Sequence, residues 1–299
     1  MFLAHSKMRA SKSDRIFDFV NYSLLILALL IVAYPLWFVV IASVSSSSHV
    51  LNGEVTLLPK GFQLKAYEMV FQNRNIVLGY RNTIFYTAAG TSINIVATVL
   101  IAYTLAQSDL RGRGPITFLL SFTMFFSGGL IPTYLVYRSL GIINTRWVMI
   151  LPGMISVYNV IIARTFFQNS IPSELQDAAY IDGASALKTL TWVVIPLSKP
   201  ILAVLTIFYG VGHWNSFFNA LVFLSKNELY PLQLVLRNIL ITGAERVEAV
   251  GIASVAEQVR YAESIKYAVI IVSSVPVLLL YPFMQKYFVQ GVMIGAIKG

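Results

Sequence analysis

Long segments without any acidic or basic side chain constrain this chain more than any other feature. Crossing the hydrocarbon of a bilayer takes about 20 apolar residues, whereas buried helices of soluble proteins carry apolar stretches of about 10–14. Six segments contain no Asp, Glu, Lys or Arg: 19–53, 82–108, 114–137, 147–163, 200–225 and 267–285. With 57% hydrophobic and only 12% charged residues, the chain is too apolar for an ordinary soluble domain. The sequence therefore predicts an all-α integral membrane protein with six transmembrane helices.

Polar segments divide the chain into tails and loops around these helices. We expect a tail at 1–18, a six-helix domain over 19–289 and a second tail at 290–299. The long connections are predicted at 45–80, 169–195 and 225–265. The helices themselves are predicted at 24–42, 81–106, 115–137, 146–168, 196–224 and 266–288. The first apolar segment is longer than the core of a signal peptide, so we expect it to remain as the first membrane helix.

The residue types disfavour several classes of function. The chain has no cysteine, which excludes disulfides, thiolate catalysis and cysteine-bound metal. Its histidines, His5, His49 and His213, are far apart in sequence, so we expect no metal site. No catalytic constellation is visible, and we expect no catalytic residue. The net charge of +9 lies in tails and loops, which favours contacts with lipid headgroups over nucleic acid.

The orientation of the chain in the membrane does not follow from its charge. If the N-terminus is cytoplasmic, the 22 Lys and Arg residues divide equally between the two sides of the membrane. The positive-inside rule therefore decides nothing from the totals, although the basic N-terminal tail favours a cytoplasmic N-terminus.

Residues 172–184 predict a short helix, a glycine turn and a second helix between two membrane spans. Ser173 is placed to cap the first helix, with Gln176 three residues later completing a capping box. Gly183 is placed to end that helix. Small and acidic residues share this segment: Glu174, Asp177, Ala178, Ala179, Asp182, Gly183 and Ala184. A surface of small residues allows close approach of another protein, but an ordinary loop helix fits the pattern as well.

The same segment resembles the EAA loop of ABC importer permeases. That signature is Glu-Ala-Ala, three residues, Gly, nine residues and Ile-x-Leu-Pro, and the chain keeps its spacing through Asp177, Gly183 and Pro196. It departs conservatively, with Asp177 for Glu, Val193 for Ile and Ile195 for Leu. The resemblance implies a cytoplasmic coupling helix that inserts into a cleft of an ATPase subunit, and hence a cytoplasmic N-terminus and C-terminus. It also implies that 45–80 and 225–265 are external.

Further segments point to a branch of that family, and the resemblance covers most of the chain. Pro172-x-Glu-Leu and Ile181-Asp-Gly-Ala-Ser resemble the sugar branch, the maltose-type second permease. Residues 127–134 and 291–299 resemble the subgroup for complex or acidic oligosaccharides, such as the alginate importer. The end of the chain, with Gly295 and Lys298, is thereby expected at the ATPase interface, although a frayed terminus is an alternative.

The resemblance implies partners and a location. These are a second homologous permease subunit, a dimer of ABC ATPase subunits, an extracytoplasmic solute-binding protein, an oligosaccharide substrate and the bacterial cytoplasmic (inner) membrane. No Gly-x4-Gly-Lys-Ser/Thr pattern occurs in the chain, so ATP and Mg²⁺ are expected in partner subunits and no cofactor in this one. The alternatives are an ABC permease for a non-sugar solute, an ion-coupled secondary transporter and a membrane enzyme. The last two predict buried charges or a catalytic cluster.

A sugar path needs hydroxyl-binding groups and flat aromatic faces. Polar groups in a bilayer usually face a cavity or another helix. The candidates on the fourth and fifth predicted helices are Tyr158, Asn159, Tyr209, His213, Trp214, Asn215 and Asn219. Hydrogen bonding between helices is the alternative for each of them.

Overall fold

The computed structural model describes residues 11–245, 265–279 and 282, and the described part is helical, with no strand. The helices are α1 Lys12–Ser43, α2 Ser47–Leu51, α3 Lys65–Gln72, α4 Arg74–Ala106, α5 Arg113–Phe125, α6 Leu130–Ser139, α7 Trp147–Ile150, α8 Val157–Ser170, α9 Ser173–Ile181, α10 Ala186–Leu197, α11 Lys199–Trp214, α12 Phe218–Phe223, α13 Leu232–Glu245 and α14 Ile265–Leu279. The all-α prediction holds for this part of the chain. Gly295 and Lys298 of the predicted C-terminal tail lie outside the described residues.

The chain divides into two compact units. The first holds the described residues 11–70 and 265–271. Most side chains of α1 are exposed, and its buried residues are confined to the last turn, Ile41 to Ser43. The loop that follows folds back onto that end, because the Trp37 indole donates to the carbonyl of Leu57 at 2.9 Å. Helix α1 begins at Lys12, so residues 12–18 of the predicted N-terminal tail are helical.

The second unit holds residues 71–242 and 272–279, and α4 lies at its centre. Helices α8 and α11 both pack along α4. Their shared core includes Ala102 of α4, Ala163 of α8 and Leu205 of α11, all fully buried. Small and aliphatic residues at these contacts let the three helices approach closely, as membrane helices do.

The N-terminus of α4 shows why the helix start predicted at residue 81 is wrong. The Asn73 side chain caps the helix by accepting from the backbone amides of Asn75 and Ile76 at 3.0 and 3.4 Å. Residues 74–80 are therefore helical. The charges of Arg74 and Arg81 ended the uncharged segment there, although a charged side chain does not end a helix.

Three predicted helices are not continuous. The third is the pair α5–α6, bent by 115° at a break where Gly129 has φ +84°. The fourth, predicted at 146–168, consists of α7 and α8 separated by residues 151–156, where Gly153 has φ +71°. The fifth, predicted at 196–224, ends at Trp214 and is followed by α12. Its start is bent by 86° against α10.

Among the described residues, two helices are long and apolar enough to cross a membrane by themselves, α1 and α4. Counting each bent pair, α5–α6 and α10–α11, as one span gives up to four. Helix α14 is apolar but shorter, and the predicted sixth helix at 266–288 extends beyond the described residues. Six spans remain a prediction.

Candidate functional site

The predicted coupling segment folds as two helices around a glycine. Helix α9 begins at Ser173 with Pro172 as its N-cap residue, and no side chain caps it. The predicted Ser173 capping box is therefore wrong, because Ser173 is already inside the first turn. The second helix, α10, is capped instead by Ser185, whose hydroxyl accepts from the amide of Lys188 at 3.4 Å.

Gly183 closes the first helix as its position predicted. Its φ is +73°, a left-handed conformation that glycine adopts without strain. The amide of Ala184 donates to the carbonyl of Ala179 at 2.9 Å, and the amide of Asp182 to that of Ala178 at 3.0 Å. A Cβ at residue 183 would meet no atom within 4 Å, so the requirement for glycine comes from the backbone alone.

The two helices present an exposed surface that is both apolar and acidic. Tyr180 and Ile181 are 81% and 83% exposed, and Leu187 is 63% exposed. The three carboxylates, Glu174, Asp177 and Asp182, are exposed, as is Ala178, while Ala179 and Ala184 are half-buried. None of these carboxylates forms an ion pair within the described residues. Large exposed apolar groups of this kind mark a surface that another molecule covers.

The same element is anchored firmly at both ends. Ile171, before α9, and Leu190 and Val194, in the π-helical stretch of α10, are buried in the core shared by α4, α8 and α11. In addition, the Gln107 amide nitrogen, just after α4, donates to the Gln176 side-chain oxygen on α9 at 3.1 Å. The exposed surface is therefore connected directly to the helix core.

The aromatic candidates on α11 are buried and hydrogen-bonded to neighbouring segments. Tyr209 is 7% exposed, and its hydroxyl lies 2.6 Å from the Thr98 hydroxyl and accepts from the Ser156 amide at 3.2 Å. Trp214 is also 7% exposed and donates to the carbonyl of Ser273 at 3.1 Å. In this structure both side chains hold helices together rather than line an open surface.

His213 belongs to a junction that the sequence did not indicate. Asn94 is buried, and its side-chain amide nitrogen donates hydrogen bonds to the carbonyls of Gly153 and Met154 at 3.0 and 2.8 Å. Its oxygen lies 2.9 Å from His213 Nε2, so this nitrogen carries the proton. Gly90, one turn earlier on α4, leaves room for the imidazole. The junction joins α4, α11 and the break before α8.

The remaining candidates are spread over several surfaces. Tyr158 is 56% exposed, and its ring lies 6.4 Å from that of Phe208, which is also exposed. Asn215 is exposed and donates to the carbonyl of Val211 at 3.0 Å. Asn159 is buried, and Asn219 is half-buried on α12, beyond the end of α11. The structure thus places Tyr158 beside Phe208, which was not among the predicted path residues, and does not gather all seven predicted residues.

No protein-family model matches the chain. It is 39% identical over 289 residues to the polygalacturonan/rhamnogalacturonan transport system permease protein YtcP of Bacillus subtilis (strain 168), covering 96% of this chain and 99% of that protein. It is 37% identical to protein LplC of the same organism, covering 98% of each. A solved structure of a bacterial ABC transporter involved in the import of the acidic polysaccharide alginate matches with a TM-score of 0.85 at 35% identity, covering 93% of this chain and 99% of the other. The chain belongs to the family of sugar ABC importer permeases.

This membership decides between the alternatives that the sequence left open. It confirms the ABC permease and the sugar branch, and with them a multi-pass membrane protein. The ion-coupled transporter and the membrane enzyme are thereby set aside, since the relatives are transport permeases.

Proposed function

We propose that this chain forms half of the path for an oligosaccharide, one that contains uronate residues, in a binding-protein-dependent importer. The residues of α9, Gly183 and α10 couple it to the ATPase subunits. One observation carries the coupling assignment: an exposed, apolar and acidic surface, on a segment whose two ends are buried in the helix core. The relatives support the substrate class, because two of them are named for acidic polysaccharides.

The partners follow from the same assignment. A second permease completes the path, a pair of ATPase subunits binds ATP and Mg²⁺, and an extracytoplasmic binding protein delivers the sugar. The coupling surface faces the cytoplasm of a bacterial cell, so both termini are cytoplasmic. The packing agrees with this topology. The segment after α12 is bound to Asn82 and Tyr86 near the start of α4, whereas the coupling helix is bound to Gln107 beyond its end. About 20 residues of helix separate these contacts, which is roughly 30 Å, a bilayer thickness.

Coupling operates as a rigid-body movement between two sites. When ATP closes the ATPase dimer, the docked surface around Tyr180 and Ile181 is carried along. Leu190 and Val194 transmit that displacement to the core of α4, α8 and α11, and the permease halves change from inward-facing to outward-facing.

The sugar meets aromatic side chains at exposed positions in this half. Tyr158 and Phe208 offer adjacent ring faces, which suit the apolar faces of sugar rings. No Lys or Arg is among the predicted path residues, so recognition of a uronate carboxylate rests on the partner permease or the binding protein.

The coupling assignment is tested by Gly183→Ala with Gly141→Ala as its matched control. Both glycines have positive φ, +73° and +67°, and an added Cβ meets nothing at either site. Each substitution strains the backbone by about 1–2 kcal/mol. Only Gly183→Ala should reduce the ATPase activity that the loaded binding protein stimulates in the purified complex. Equal effects of the two substitutions would show that position 183 has no special role.

The substrate class is tested in the same complex. ATPase stimulation is measured with the cognate binding protein and a panel of neutral and uronate-containing oligosaccharides of matched length. Stimulation by the uronate-containing members supports the proposal. Stimulation by neutral sugars alone would refute the acidic substrate and leave the coupling assignment untouched.

A further inference from the structure

Arg164, where α8 packs against α5, has no counter-ion among the described residues. Arg164 is partly buried on α8, and its Nη1 donates to the Thr117 hydroxyl on α5 at 3.4 Å. Its Nε is buried and has no hydrogen-bond partner in the described part of the chain. No described carboxylate forms an ion pair with it. A guanidinium removed from water in this way is costly unless an anion accompanies it.

The surroundings of Arg164 increase this cost. Arg113, one turn before Thr117 on α5, is also half-buried and adds a second positive charge that acts on Arg164. Thr117 cannot supply negative charge, and its hydroxyl already donates to the Arg113 carbonyl at 2.8 Å. Arg113 also stands in the first turn of α5, where the helix dipole favours an anion over a cation.

No acidic side chain among the described residues neutralises this pair. Of the 13 acidic residues, nine have described side chains, and only Glu54 among them forms an ion pair. The other four lie within residues 245–263, in the segment predicted on the opposite side of the membrane from the coupling helix. With the proposed topology, which places that segment on the other side of the membrane, we infer that the anion comes from outside the chain.

The position in the fold indicates which anion this is. Residues 107–112 lead into α5, and Gln107 contacts the coupling helix, so Arg113 and Arg164 lie near the end of the helix bundle that carries the coupling surface. The outward side of α5 is apolar and exposed at Phe118 and Leu119. Basic groups between membrane helices at this level, beside an apolar face, are typical of binding sites for anionic lipid headgroups.

We propose that Arg164 and Arg113 bind the phosphate of an anionic phospholipid, with its acyl chain along the exposed face of α5. Thr117 orients the Arg164 guanidinium toward the phosphate. Both the inner-leaflet position and the exclusion of the acidic residues within 245–263 rest on the proposed topology. The chemistry is that of a phosphate diester, so free inorganic phosphate is the alternative source.

The test uses the complete transporter in nanodiscs of phosphatidylcholine, with or without phosphatidylglycerol of the same acyl chains. Native mass spectrometry counts the phosphatidylglycerol retained by wild type, Arg164→Gln and Arg164→Lys. Arg138→Gln is the matched control, since it removes one exposed positive charge from α6, away from the contact between α5 and α8. We expect retention to fall about fivefold in Arg164→Gln. It should be unchanged in Arg164→Lys and Arg138→Gln.

The Tm of the complex provides a second measurement, in which the substitution is expected not to destabilise the protein. In phosphatidylcholine alone, Arg164→Gln should be at least as stable as wild type, because it removes an uncompensated charge. Phosphatidylglycerol should stabilise wild type and leave Arg164→Gln unchanged. If Arg164→Gln does not fold, Arg113→Gln takes its place, with the same expected loss of retention.

Four results would overturn the proposal. Two concern retention: wild type and Arg164→Gln retain equal amounts of phosphatidylglycerol, or Arg138→Gln loses as much retained lipid as Arg164→Gln. The third is that inorganic phosphate stabilises wild type and the lipid does not. The fourth is that Arg164→Gln releases the ATPase subunits in phosphatidylcholine. The last would assign the counter-charge to an ATPase carboxylate. Lipid retention needs neither docking nor transport, so these results are independent of the Gly183→Ala test.

Discussion

Replacing Asn94 by Leu should destabilise the helix core out of proportion to the small change in side-chain size. The side chain is 1% exposed and makes three hydrogen bonds, two to the carbonyls of the break at residues 153–154 and one to His213. Leu fills a similar volume but leaves all three groups without a partner. Hydrogen bonds between membrane helices contribute about 0.6 kcal/mol each on average, while a buried polar group left unsatisfied costs about 1–3 kcal/mol.

Over three groups, these values give about 2 kcal/mol from the lost hydrogen bonds and about 3–9 kcal/mol from the groups left unsatisfied. Because Gly153 is exposed and His213 only half-buried, we expect a loss near the lower end, about 2–4 kcal/mol. For a domain of this size, it corresponds to a decrease in Tm of about 5–10 °C. The measurement is the Tm of the purified complex, followed by the loss of its monodisperse size-exclusion peak on heating.

Ser92→Ala is the control for this experiment. Ser92 lies on the exposed side of the same helix and bonds only the carbonyl of Ala88, one turn back, so its removal should leave the Tm unchanged. A second variant, His213→Leu, should lose part of the same stability, and the two losses should not add. A Tm for Asn94→Leu equal to that of Ser92→Ala would refute the junction.

Three further predictions concern other surfaces of the chain. Ile181→Ser should weaken binding to the ATPase subunits about 30-fold, because the Ile181 side chain is 83% exposed in this chain and its burial at an interface would contribute about 2 kcal/mol. The Tm should be unchanged. Unaltered affinity in a pull-down titration would mean that this side chain is not at the interface. Gly90→Ala places a Cβ 2.4 Å from the His213 ring and should lower the Tm by displacing it, an effect that His213→Ala should relieve; a Gly90→Ala protein as stable as wild type would contradict the close packing. Hydrogen bonds from His49 and then Asn52 hold the pKa of Glu54 below its ordinary value, so their stabilisation of the loop is complete above about pH 4.3 and is lost as the pH falls through the lowered pKa. The protection factors of residues 45–64, which account for the slower intrinsic exchange at low pH, should therefore fall on acidification in wild type but not in Glu54→Gln, and the same decrease in both would assign it to another group.

The sequence predicted the two long apolar helices, α1 and α4, better than the continuity of the others. Uncharged segments located α1 and α4 because length and apolarity are properties of the segment itself. The break between α7 and α8 was missed, although Pro152 and Gly153, a dipeptide typical of turns, lie in it. The side chain that stabilises the break lies 59 residues away. Asn94 binds the carbonyls that the break frees, and irregular backbone inside a membrane protein needs such a partner. No local pattern encodes that pairing.

The helix–glycine–helix shape around Gly183 was predicted more accurately than the surroundings of the candidate path residues. This shape depends on a local signal, the left-handed turn at Gly183, and on spacing within one stretch of chain. Candidate path residues were chosen by polarity, which marks a helix contact as readily as an open surface. Tyr209 shows the difference, since its hydroxyl is engaged by Thr98 and Ser156.

The inner side of α4 has a consequence for how the protein is made. Asn82, Thr83, Asn94 and Thr98 are buried there against later parts of the chain, and α4 is markedly less apolar than α1. Asn94 and His213 are 119 residues apart. At bacterial synthesis rates of about 5–20 residues per second, His213 is therefore synthesised roughly 6–24 s after Asn94. During this interval the polar side of α4 cannot face lipid, and the insertion machinery must shelter it. The same row of amides and hydroxyls that fixes the finished structure thus makes α4 dependent on assistance during biogenesis.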